Sequence, residues 1–208
     1  MESTTEKSME QQILETAEEL FLAKGFSAVS TVQIARECGC NQALVHYYFR
    51  TKDNLFNTIF EKKFRLFFNS IMIKDQAKKL SFTEKLQSII ESHFDLLQAN
   101  PQLPILVLSE LMRRPEQIEL LKSKLQAKPT QLFAELNAEM IVEVQAGRIR
   151  KLDIIDLMMS MLSLNIALFV SLPAIGIILN LSNDQKKELI GHRRQEHVSF
   201  VLNSIILK

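Results

Sequence analysis

The stretch LMMSMLSLNIALFVSLPAIGIIL, residues 157–179, contains no charged side chain. As a helix it is long enough to cross a bilayer, so it admits few placements. Either it spans a membrane, or it is covered by protein, because a helix that is apolar all round needs apolar surroundings. Asn165, several serines and Pro173 interrupt the run, and the NLSND that follows offers no basic cluster to fix an orientation across a membrane. A protein-covered helix is the reading taken, with membrane association as the competing one.

The remainder of the chain favours the same choice. Its 208 residues, 47% of them hydrophobic, suffice for one good core or two smaller ones sharing a connecting helix. Five glycines and five prolines are few for this length, and apolar residues recur at helical spacing, so an all-α fold is expected. The polar, acidic start MESTTEKSMEQQ lacks the basic end and apolar run of a secretory signal, which predicts a cytoplasmic protein. Two cysteines one residue apart cannot staple a long loop, in keeping with a reducing compartment. A net charge of +1 names no partner.

Helix signals punctuate the sequence. Ile13, Ala17, Leu20 and Phe21 mark a first helix from about Ser8 to Lys24, with Gly25 placed to end it in a left-handed conformation. Ser30 and Gln33 form a capping-box pattern ahead of a short helix over 31–38, Gly39 supplies a turn, and Asn41 caps a third helix to about Tyr48. Two short helices joined by a glycine-containing turn make a helix-turn-helix. A long fourth helix follows, with Leu55, Phe56, Ile59, Phe60, Phe64, Phe67 and Phe68 along one stripe. Ser81 with Glu84 opens a fifth helix to about Gln98, and Pro104 and Pro115 divide a less regular region over 103–126. Pro129 suits the first turn of a helix to about Gly147, Asp153 opens the apolar helix, and the last begins near Ser182.

No enzyme is predicted. The histidines at 46, 93, 192 and 197 lack an evident nucleophile and acid around them, there is no phosphate-binding glycine loop, and no cofactor is implied. Cys38, Cys40 and His46 are too few for a structural zinc site, so no metal is expected. The two cysteines read as small apolar packing residues, with thiol or metal sensing as the alternative.

The stretch NQALVHYYFRTK points to nucleic acid. In a helix from Asn41, burying Leu44 or Val45 with Tyr48 and Phe49 turns Gln42, Ala43, His46 and Tyr47 outward, as entry into a major groove requires. Gln42 can pair with an adenine edge, Ala43 and Leu44 can meet thymine methyls, and Tyr47, Arg50 and Lys52 can reach phosphates, with Ser30, Thr31 and Arg36 flanking them.

ILETAEELFLAKGFSAVSTVQIARECGCNQALVHYYFRTKDNLF, with Ala17, Phe21, Gly25, Phe26, Ile34, Ala35, Gly39, Val45, Tyr48, Phe49, Lys52 and Leu55, resembles the DNA-binding head of the TetR (tetracycline repressor) family of bacterial transcription regulators. The resemblance implies an N-terminal three-helix head over 1–52, joined by helix 4 to a helical ligand-binding and dimerisation body over 53–208. It also implies a homodimer through the last two helices, a near-palindromic double-stranded operator, and an unknown, mostly apolar small-molecule effector that releases a repressor from DNA. A helical sensor or interaction protein without DNA binding is the alternative. Gln42, Ala43 and His46 stand where the family commonly has a basic residue, a glycine and a tyrosine. Over residues 1–55 the acids Glu2, Glu6, Glu10, Glu15, Glu18, Glu19, Glu37 and Asp53 outnumber Lys7, Lys24, Arg36, Arg50 and Lys52, which predicts few phosphate contacts. For the effector, an apolar cavity lined by Phe64, Phe68, His93, Phe94, Phe133, Met158, Met161, Asn165 and Phe169 is expected, against the alternative that these are ordinary core.

Overall fold

A computed structural model of the chain describes residues 8–63, 65, 80–113, 119 and 128–207. The regular elements among them are helices: α1 Met9–Lys24, α2 Thr31–Cys38, α3 Gln42–Phe49, α4 over 52–63, α5 Phe82–Ala99, α6 Leu103–Arg113, α7 Lys128–Gln145, α8 Ile154–Ile178 and α9 Asn183–Ile205. They fall into two compact units, residues 1–64 with 105–124 and residues 65–104 with 125–208.

In the first unit, α1 buries Ile13, Leu14, Ala17 and Phe21 on one face. Phe21, Phe26 and Phe56 meet with ring centroids 5.1 to 5.9 Å apart, and Ile34, Ala35, Val45, Phe49, Leu55 and Ile59 complete the core. The core of the head thus runs into α4, past the boundary expected at residue 52. Gly25 ends α1 at φ 79°, as expected, but its ψ of 156° lies in the extended glycine-only region rather than the left-handed helical one. Ser30 accepts from the backbone N–H of Gln33 at 3.1 Å, but the return bond from the Gln33 side chain that a capping box requires is not among the bonds of the described residues, so only half of the expected box forms.

In the second unit, α5 opens with the predicted capping box of Ser81 and Glu84. Phe82, Leu86, Ile89 and Ile90 of α5 pack with Leu136 and Met140 of α7, Leu157 and Met161 of α8, and Val201 and Ile205 of α9. Beside them Phe94, Leu97, Leu168 and Phe169 form a smaller cluster. Arg194 of α9 grips Asp95 of α5 through two bonds at 2.8 and 3.0 Å. The chain end is latched by backbone: Arg150 N–H donates to Ile205 O at 2.8 Å and Leu207 N–H to Arg148 O at 3.3 Å, around an isolated bridge between Ile149 and Ile206.

One expectation changes, and one holds. The region from 103 is more regular than predicted: α6 runs to Arg113 with Pro104 in its first turn, where a missing N–H is harmless. The apolar helix passes through Pro173 unbroken, and the hydroxyls of Ser160 and Ser171 donate back to carbonyls of their own helix at 2.9 and 2.6 Å.

Candidate nucleic-acid interface and polar core of the body

The turn between α2 and α3 is built by Gly39, which takes the left-handed conformation at φ 70°, ψ 27°, while its N–H and that of Cys40 close onto Ala35 and Arg36 carbonyls. Asn41 then caps α3, accepting from Ala43 N–H at 2.9 Å. With its start fixed, α3 buries Val45 and Phe49 and exposes Gln42, Ala43, Leu44, His46, Tyr47 and Tyr48. Tyr48 departs from the expected inward position: it lies against Tyr47 edge to face at 5.2 Å, and Tyr47 is 68% exposed. The reason is angular, since 45 and 49 are one turn apart and already fill the inward face. Ser30 and Arg36 are exposed on α2 and its cap, and Thr31 is half-buried.

A chain of hydrogen bonds orders the outward face. Gln42 Nε2 donates to Thr31 Oγ1 at 3.1 Å and lies 3.3 Å from His46 Nε2, while His46 Nδ1 sits 3.0 Å from the Arg50 carbonyl. A carbonyl only accepts, so Nδ1 carries the hydrogen, and the Nε2 of a neutral ring accepts from Gln42. Both amide hydrogens of Gln42 are thereby used, leaving its Oε1 for a further partner.

Arg50 itself has φ 64°, ψ −52°, and Thr51 N–H donates across it to Phe49 O at 2.7 Å. That is a γ-turn of the rarer hand, strained by about 1 kcal/mol or more for a residue with a Cβ. The His46 bond to the Arg50 carbonyl helps to hold it, and Thr51 restarts the chain by capping α4 through Asn54 N–H.

Lys52 was expected to face phosphate. Its ammonium instead donates to the carbonyls of Phe26 and Val29 at 3.1 and 2.9 Å and lies 4.2 Å from the centre of the Phe26 ring. It ties the α1–α2 turn to α4, a charge-assisted contact within the head. Arg36, exposed, pairs with its neighbour Glu37 at 3.0 Å. Cys38 and Cys40 pack against the head core, where burial and the neighbouring Cys38 push the Cys40 thiol above its ordinary value and away from thiolate chemistry. Among the described residues no group of three or more His, Cys, Asp and Glu side chains is placed to hold a metal.

In the body, Phe64 and Phe68 lie outside the described residues. The other expected cavity residues divide between the two clusters: Met161 with the half-buried Phe133 and Met158 in the larger, Phe94 and Phe169 in contact at 5.2 Å in the smaller. His93 and Asn165 come together, and a residue not expected there, His197, joins them. Asn165 is 0%, His197 1% and His93 9% exposed. Asn165 Nδ2 donates to Ile90 O at 2.9 Å and lies 3.3 Å from His93 Nδ1, and its Oδ1 is 2.7 Å from His197 Nδ1. Burial lowers both histidines to about 4, with the charge of Arg193 adding to the effect on His197, so both rings are neutral near pH 7. His197 precedes Val201 and Ile205 by one and two helical turns, and that spacing was the sequence signal for its inward face.

Residues 13–59 match the family described as bacterial regulatory proteins, tetR family. The fatty acid metabolism regulator protein of Bacillus subtilis (strain 168) is 29% identical over 100 residues, 48% of this chain and 51% of that protein. This chain thus matches about half the length of that curated relative. Among solved structures, FadR from Bacillus subtilis in complex with stearoyl-CoA superposes with a TM-score of 0.62 at 22% identity, covering 90% of this chain and 97% of that one. The ketosteroid transcriptional regulator KstR2 of Mycobacterium tuberculosis gives a TM-score of 0.67 at 14% identity, covering 98% of each. At these identities the structural likeness speaks for the all-helical fold alone. The family match falls on the helix-turn-helix built by Gly39 and Asn41, and over residues 13–59 the chain is similar to bacterial regulatory proteins of the tetR family.

Proposed function

We propose that the chain is a dimeric, cytoplasmic DNA-binding repressor whose α3 enters the major groove of a near-palindromic operator and whose body takes an acyl-chain effector that releases it. The observation that carries the reading is the outward face of α3: Gln42, Ala43, Leu44, His46 and Tyr47 exposed on a helix whose position is fixed by Val45 and Phe49. Gln42 acts there as an acceptor. With both of its amide hydrogens bonded to Thr31 and His46, it favours the amino group of adenine or cytosine over the two-point pairing with adenine that a free glutamine makes. Tyr47 and Arg50 contact backbone phosphates, and Lys52 acts through the fold of the head.

A second copy of the chain covers α8 and α9. The most apolar window of α8 has a mean hydropathy of 2.1 and is only 28% buried, and Ile155, Met159, Ile177 and Ile178 are exposed on it, with Phe200 on α9. A patch of that kind needs a partner, and two heads are needed to read a site of useful length. The acyl-chain effector is carried over from relatives that are a fatty acid metabolism regulator and a FadR crystallised with stearoyl-CoA.

Random-oligonucleotide selection with purified protein tests the reading. A two-fold symmetric site with adenine or cytosine opposite Gln42, at least ~10-fold weaker binding by Tyr47→Ala, and release by stearoyl-CoA are expected. Failure to enrich any sequence would remove the DNA-binding assignment.

A further inference from the structure

The amide of Asn165 fixes the hydrogen positions of the buried triad. The atom 2.9 Å from the Ile90 carbonyl must be the donor nitrogen, because two carbonyl oxygens would repel at that distance. Its second hydrogen goes to His93 Nδ1, so Oδ1 is left to accept, and the atom 2.7 Å from it, His197 Nδ1, carries a hydrogen. The Nε2 of neutral His197 is therefore a bare lone pair. Among the described residues that buried atom has no hydrogen-bond partner, while its ring stands against Phe94 at 5.8 Å, with Phe169 beyond. Buried acceptors are nearly always satisfied, and a phenylalanine would fill the same space without the penalty.

We infer that His197 Nε2 is the polar recognition point of the effector site, accepting a hydrogen bond from an O–H or N–H group on an otherwise apolar ligand. The inference rests on the acyl-chain reading above and narrows it. A carboxylate or an ester has only acceptors to offer and would meet lone pair with lone pair, whereas an alcohol or an amide supplies the missing hydrogen. Asn165 makes the site selective by holding His197 in one tautomer, and His93 keeps the Asn165 amide from turning.

The test uses the full chain and four ligands of equal chain length: stearyl alcohol, stearamide, methyl stearate and stearate. Thermal shift and loss of DNA binding should show the alcohol and the amide binding at least ~10-fold more tightly than the ester and the acid, a difference of one good hydrogen bond. The relative strength of the first two separates an O–H from an N–H source. His197→Asn keeps a donor to Asn165 at the Nδ1 position but has no atom at Nε2, and it should erase the preference. On the wild-type protein, the nitrogen resonance of His197 Nε2 should move on adding stearyl alcohol, a readout that needs no variant to fold. Equal affinity for all four ligands, an unmoved Nε2 resonance, or an unchanged preference in a folded His197→Asn variant overturns the inference while leaving the acyl-chain reading in place. If neither these four nor stearoyl-CoA binds but DNA selection succeeds, the acyl-chain reading falls and takes this inference with it; if only stearoyl-CoA binds, this inference falls alone.

Discussion

Mild acid should unfold the body of this protein earlier than its head, because the body hides two neutral histidines. Each has an ordinary value of 6.5 that burial lowers to about 4, so between these values the unfolded chain binds protons that the folded one refuses. The sign is therefore loss of stability as pH falls through that window, with no effect above about 6.5. At about pH 5 the penalty is about 2 kcal/mol for each ring, and once pH passes below about 4 it approaches about 3 kcal/mol each. The two rings share Asn165, so their contributions are not simply additive and the pair is expected to lose about 2–4 kcal/mol at about pH 5. Arg193 adds like charge on the side of α9, while Arg194 stays paired with Asp95 and Glu91. Urea denaturation followed by circular dichroism at about pH 7.5 and about pH 5, at constant protein concentration, measures this. Comparison with a His93→Gln, His197→Asn double variant removes the part due to carboxylates. The reasoning fails if wild type and double variant lose the same stability over that interval.

Two further outcomes follow from contacts elsewhere. Lys52→Met keeps the stem beside Phe26 but removes both bonds to the α1–α2 turn; the head should lose about 1.5–3 kcal/mol, read as faster hydrogen exchange at Ser30 and Gln33 and as weaker DNA binding. Ile177→Glu together with Phe200→Glu places charge on exposed apolar positions of α8 and α9; sedimentation should report a monomer, and affinity for a full operator should fall by at least ~10-fold, more than for a half-site.

Much of this was legible from local chemistry. Ser81 with Glu84, Asp153 and Ser182 announced their helices because a cap is a short-range bond between residues two or three apart. The outward Gln42, Ala43 and His46 followed from helical spacing once Asn41 was taken as the cap. What escaped were features set by distant parts of the chain. The role of Lys52 depends on carbonyls more than twenty residues earlier, and α6 forms with Pro104 in its first turn and Leu106 buried in the head cluster. Asn165, which looked like an interruption of an apolar run, is instead the hub of a polar triad whose third member lies on another helix. Tyr48 escaped for a local reason, because two of four candidate residues were enough to fill the inward face.

The latch at the chain end has an evolutionary consequence. Its defining bonds, from Arg150 to Ile205 and from Leu207 to Arg148, run between main-chain groups and are indifferent to side-chain identity. Drift by substitution should pass through residues 204–207 almost unfiltered, apart from the buried Ile205. A single residue inserted or deleted in the last turn of α9 would shift every pairing by one and turn Ile206 to the opposite side. Spacing along the chain, more than side-chain identity, decides that pairing.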